Sequence, residues 1–107
     1  METQSAIQRM IKDIKNDDTR IQITGKIDRI EEEGRFMLKD STGEITVDIS
    51  DKDLDFNEGD LVNVIGNLQI TVSGKKILNM DLIQDMNRLN LAYYEEIYEM
   101  KKDMLEK

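Results

Sequence analysis

Cysteine, histidine, proline and tryptophan are all absent from the 107 residues. Each absence excludes a class of chemistry. Without Cys or His there is no disulfide framework, no Cys/His zinc site, no thiol nucleophile and no imidazole general base. No Gly-Lys phosphate loop is present, so no enzymatic activity and no cofactor are expected. Apolar runs are only a few residues long, too short for a membrane span or a signal-peptide core. An intracellular protein is expected, cytoplasmic in a prokaryote or nuclear in a eukaryote. Aromatics are scarce too, with three Tyr and two Phe.

What is abundant is negative charge. Lys and Arg number 15 against 23 Asp and Glu, a formal net charge of −8. The run Asp51, Asp53, Asp55, Glu58, Asp60 could suggest a cation site. It lacks the glycine at loop position six and the terminal Glu of an EF-hand. It reads instead as a solvated connection, and no metal is expected.

Three zones separate by hydrophobic period: 1–18, 19–85 and 86–107. In the first, Ile7, Met10, Ile11 and Ile14 fall on one helical face. Ser5 and Gln8 have capping-box spacing. A short amphipathic helix is expected. The second zone alternates in twos. Ile21, Ile23, Gly25 and Ile27 make a long first strand, with Gly25 marking a bend or bulge. Phe36 to Lys39, Ile45 to Ile49, Val62 to Ile70 and Lys76 to Ile83 supply four more. Five strands and turn signals give a mainly β fold, a Greek-key barrel of the OB-fold type with a short N-terminal and a long C-terminal helix. An open five-stranded sheet covered by helices competes, and the bend glycine favours the barrel.

The third zone returns to helical period over about 20 residues, roughly 30 Å, with Asp85 or Asn87 as the cap. Leu89, Tyr93, Ile97, Met100 and Met104 form one row, with Met86 upstream. Leu91, Tyr94, Tyr98 and Leu105 form a second beside it. Two rows exceed what one small barrel needs to cover. The first is read as an oligomerisation seam with near-heptad spacing. The alternative is that one row docks and the other is ordinary surface.

Two motifs and this helix carry a family resemblance. Lys39-Asp40-Ser41-Thr42-Gly43-Glu44-Ile45 resembles the Asp-x-Thr-Gly turn between the second and third strands of the replication protein A group. Glu58-Gly59-Asp60-Leu61-Val62-Asn63-Val64-Ile65-Gly66 resembles that group's lead-in to its fourth strand. Asp85-Met86-Asn87, followed directly by the helix, resembles the middle subunit of heterotrimeric replication protein A. The resemblance implies a subunit of a single-stranded DNA-binding complex in replication or repair. Its partners would be larger OB-fold subunits, held through Leu89, Tyr93, Ile97, Met100 and Met104, or a second copy when the chain is isolated. The family's base-stacking aromatics do not carry over, because Ser50, Asp51, Ile70 and Thr71 occupy those neighbourhoods.

Charge sets a limit on DNA contact. Residues 19–85 hold eight basic and fourteen acidic side chains, and Glu31-Glu32-Glu33 flanks the usual OB groove. Arg20, Lys26, Arg35, Met37, Lys39, Lys75 and Lys76 are the candidate contact residues, an outward stripe ending at the turn between the last two strands. Phe36 is assigned to the core and Phe56 to a plug at the barrel's open end. Weak strand binding by the isolated chain is expected. Two rivals stand beside this reading: an acidic protein-interaction adaptor, and a telomere-capping or RNA-binding OB module.

Overall fold

A computed structural model describes residues 6–31, 34–49 and 53–105. The strands are β1 (Ile7–Gln8), β2 (Arg20–Glu31), β3 (Arg35–Asp40), β4 (Gly43–Asp48), β5 (Leu61–Ile70) and β6 (Lys76–Asp85), followed by helix α1 (Leu91–Leu105). β2 through β6 close into a barrel. Antiparallel ladders join β2 to β3, β3 to β4 and β5 to β6, β4 runs parallel to β6, and β2 pairs with β5 to complete the ring. This is the five-strand OB fold, and the β2–β5 ladder rules out the open sheet. No helix among the described residues is long and apolar enough to cross a membrane.

The alternating side chains fill the interior as their period requires. Ile21, Ile23, Ile27, Phe36, Leu38, Val47, Val62, Val64 and Leu78 are fully buried. Phe56 is partly buried and packs on this core. Gly25 permits a close approach, since a Cβ there would lie 2.6 Å from the Lys39 carbonyl oxygen. The register shift of β2 against β3 falls three residues later, between Ile27 and Arg29.

The N-terminal zone differs from expectation. Ile7 and Gln8 are extended and pair in parallel with Ile21 and Gln22 of β2. Among the described residues of this zone only Ile11–Asp13 forms a helical turn, of the tight 3₁₀ kind. Ser5, the expected cap, lies outside the described residues. An isolated helix this short is marginal in water, and two tertiary bonds are available instead. The Arg9 amide donates to the Gln22 carbonyl at 3.1 Å, and the Ile11 amide to Asp40 Oδ2 at 2.8 Å. Met10 and Ile14 are buried, whereas Ile7 is 48% exposed, so the four apolar residues do not share one face.

The C-terminal helix begins later than expected. The Met86 amide donates to the Leu61 carbonyl, prolonging the β5–β6 edge. Asn87 spends its side chain on the Leu61 amide at 2.8 Å. Its own amide donates to Asp85 Oδ1 at 2.9 Å. Neither Asp85 nor Asn87 caps the helix. Asn90 does, accepting from the Tyr93 amide at 3.1 Å, as an N-cap side chain should.

Candidate assembly helix and nucleic-acid face

The second apolar row of α1 docks the helix on its own chain. Tyr94 accepts a hydrogen bond from Gln8 Nε2, and Tyr98 donates to Asp13 Oδ2 at 3.0 Å. Around them, Lys102 Nζ reaches Asp13 Oδ1 and Lys12 Nζ reaches Glu99 Oε1, both at 2.8 Å. The Ser41 amide donates to Glu95 Oε2 at 3.1 Å. The helix therefore lies against the N-terminal segment and the β3–β4 turn. Burial raises both tyrosine hydroxyls above their ordinary range.

Asp13 is the centre of this docking. Burial pushes its carboxyl up, but hydrogen bonds from Lys102 and Tyr98 outweigh that and hold it below the usual carboxylate range. A depressed folded-state value stabilises docking above the unfolded value, about 3.9, and that stabilisation is lost as the pH falls through the folded value. Acidification is therefore expected to loosen α1 from the barrel. Asp13→Asn should cost about 1–2 kcal/mol at neutral pH and flatten the acid limb. Tyrosine near-ultraviolet dichroism followed over roughly two pH units either side of the ordinary carboxylate value would check it; an unchanged acid limb in the variant would count against the assignment.

The first row is left outside. Tyr93 and Met100 are each 60% exposed and Met104 is 76% exposed. Leu89 and Ile97 are half-buried and line a groove of about 200 Å³ with Tyr93, Tyr94 and Tyr98. The five seam residues thus split into three exposed side chains and two at the edge of the docked face.

The seven candidate nucleic-acid residues do not form one stripe. Met37, Lys75 and Lys76 come together in a cleft of about 310 Å³, with Ile11, Ile14 and Glu44 among the other walls. Met37 is not outward and free as alternation suggests. It is buried, lining this cleft with the N-terminal isoleucines and accepting from the Thr46 hydroxyl at 3.3 Å. Lys75 is held by a tight loop, its amide donating to Thr71 Oγ1 at 3.0 Å. Lys26 and Lys39 are cross-strand partners and line a separate cavity of about 440 Å³, where Asp28 and Asp40 offset their charge. Arg20 is ion-paired to Asp81, and Arg35 Nε lies 3.6 Å from Asp48 Oδ2.

Of the positions where base-stacking aromatics are missing, Ile70 and Thr71 lie at the end of β5 and in the loop beyond it. Ser50 and Asp51 lie outside the described residues, as do Glu32 and Glu33. The acidic run accepts hydrogen bonds from backbone amides, one on β2 and one within its own turn. Glu58 Oε2 accepts from the Ile30 amide at 3.1 Å and Asp60 Oδ2 from the Asn57 amide at 2.8 Å. Among the described residues no three acids converge as metal ligands would.

The model of the bacterial OB fold (BOF) proteins matches residues 3–85. The chain belongs to that family. No curated protein matches it by sequence. Among solved structures, this BOF protein is similar to the Stn1–Ten1 complex of S. pombe, with a TM-score of 0.75 and 19% identity over 95% of this chain and 96% of that one. It is also similar to the telomere capping protein Ten1 from Saccharomyces pombe, at 0.72 and 20% over 92% and 99%. A replication protein A heterotrimer bound to ssDNA matches at 0.59 and 14%, over 75% of this chain and 64% of that one. At these identities the likeness shows the OB fold. The resemblance to replication protein A holds at that level, and the family is BOF.

Proposed function

We propose that this BOF protein is a subunit of a single-stranded DNA-binding complex acting in replication or repair. In this reading α1 joins it to another OB-fold subunit while the barrel adds a secondary contact to the strand. The observation that carries it is the apolar row Tyr93, Met100 and Met104, left exposed on a helix whose other face is already docked. Similarity to chains from the Stn1–Ten1 complex and from a replication protein A heterotrimer bound to ssDNA supports the reading. On the barrel, the cleft of Met37, Lys75 and Lys76 offers two cations and an apolar floor, which suits a phosphate and a base face.

Two lysines neutralise at most two phosphates. The slope of log affinity against log salt should then be shallow, about −1.4 for a single strand. Fluorescence anisotropy with a labelled oligothymidylate of about 25 nucleotides is expected to show weak binding by the chain, abolished by Lys75→Glu with Lys76→Glu. Complexes with a partner subunit should bind more tightly through effective concentration. A second reading, an adaptor that binds no nucleic acid, is favoured by the pairing of Arg20 with Asp81 and Arg35 with Asp48. It prevails if neither the chain nor its complex binds the oligonucleotide more than the charge-reversed variant does.

A further inference from the structure

The exposed row of α1 carries more information than its oiliness. In heptad register Ile97 and Met104 take the a positions and Tyr93 and Met100 the d positions. Glu96 then falls at g and Lys101 at the following e, one on each flank of the row. Both are exposed, and neither makes an ion pair among the described residues. A g residue and the e residue five places on meet across the seam only when two like helices run parallel and in register; antiparallel helices bring g to g and e to e. Two copies of this one helix would thus face Glu96 to Lys101 on both flanks, around the Tyr93, Ile97, Met100 and Met104 knobs. Of the docked row, Tyr98 falls at b, away from such a seam, and Tyr94 at e, two turns ahead of Lys101, so each barrel lies beside the seam on its e flank, where Gln8 and Lys101 share a groove.

We infer that the partner of α1 is a second copy of this chain, joined as a parallel two-fold pair with Glu96 of each copy against Lys101 of the other. The inference rests on the proposed assembly role of α1 and names its occupant. Two heptads of seam bury less than the roughly 1,200 Å² of a standard interface, and the net charge of −8 opposes self-association. The dimer is therefore weak and concentration-dependent.

Sedimentation equilibrium and oxidative cross-linking test this, and the absence of native cysteine makes any engineered thiol unique. Ile97→Cys is expected to cross-link to itself, as a–a′ neighbours do, and Ala92→Cys on the outer face is not. Glu96→Lys and Lys101→Glu should each shift the chain toward monomer, raising the dissociation constant about tenfold. The double variant Glu96→Lys/Lys101→Glu should restore the dimer. Single substitutions without effect, or a double variant no better than either, would overturn the parallel register. A monomer at all concentrations, with strand binding intact, overturns the second-copy partner while leaving the proposed DNA role standing. A dimer that binds no strand does the reverse.

Discussion

Asp40→Ala is expected to lower the unfolding free energy by about 3–4 kcal/mol, because one carboxylate holds two parts of the molecule together. Its Oδ1 accepts from the Thr42 amide at 2.7 Å, the Thr42 hydroxyl at 2.6 Å and the Gly43 amide at 3.1 Å, which shapes the β3–β4 turn. Its Oδ2 accepts from the Ile11 amide at 2.8 Å, which fixes the N-terminal segment. Hydrogen bonds to a charged group contribute about 1.5–3 kcal/mol each, and water replaces some of those at the partly exposed turn. Asp40 is itself buried, so truncation also leaves the Ile11 donor without its acceptor. The loss should spread, because Gln8 and Asp13 of the same segment hold Tyr94 and Tyr98 of α1. Urea denaturation should register the drop, with tyrosine signals moving ahead of the β dichroism. Asp40→Asn keeps an acceptor and should cost about half as much. The exposed neighbour gives the control: Ser41→Ala should stay within about 0.5 kcal/mol. Equal losses at 40 and 41 would remove the anchoring role from the carboxylate.

The two motifs that suggested replication protein A turn out to carry OB-barrel mechanics. Asp40 ties the turn, and Gly66 makes room for a crossing strand. Requirements of that kind belong to the barrel itself, which is why the residues were informative about fold and less so about subfamily. Strand alternation was legible because each of Ile21, Ile23, Phe36, Leu38, Val62 and Val64 obeys a local period of two. Met37 obeys the same period yet is buried, at a cleft whose other walls include Ile11 and Ile14, distant in sequence. The charge stripe dissolved for a related reason: Asp81 and Asp48 neutralise Arg20 and Arg35 only once the sheet brings them together. The helix was legible in period but not in its start, because Asn87 had a tertiary use that capping chemistry alone could not reveal. Its two rows were both visible in sequence. Which one docks was decided by Gln8 and Asp13, polar residues that no apolar pattern singles out.

Gly66→Ala is expected to be at least as damaging as the loss of Asp40, for a steric reason. A Cβ at residue 66 would sit 2.0 Å from the Asn79 carbonyl oxygen, 2.8 Å from its carbon and 3.1 Å from Met80 Cα. All three are backbone atoms, so no side-chain rotation relieves the overlap. Gly66 pairs with Ile21 on one side and Met80 on the other, where the β5–β6 register shifts. Accommodating a methyl group there requires β6 to move away from β5, exposing Val64 and Leu78. Overpacking commonly costs about 1–3 kcal/mol; with fixed backbone as the obstacle, at least about 3 kcal/mol is expected. For a domain of this size that lowers Tm by roughly 12–24 °C, at about 4–8 °C per kcal/mol. Gly59 separates steric from conformational causes. It has φ of +92° but nothing within 4 Å of a built Cβ. Gly59→Ala should therefore cost only about 1 kcal/mol, for the left-handed backbone. Calorimetry on the two variants decides the matter: a loss at residue 66 no larger than that at 59 would mean the crossing strand yields freely, and β5 and β6 would then not be held as tightly as their ladder implies.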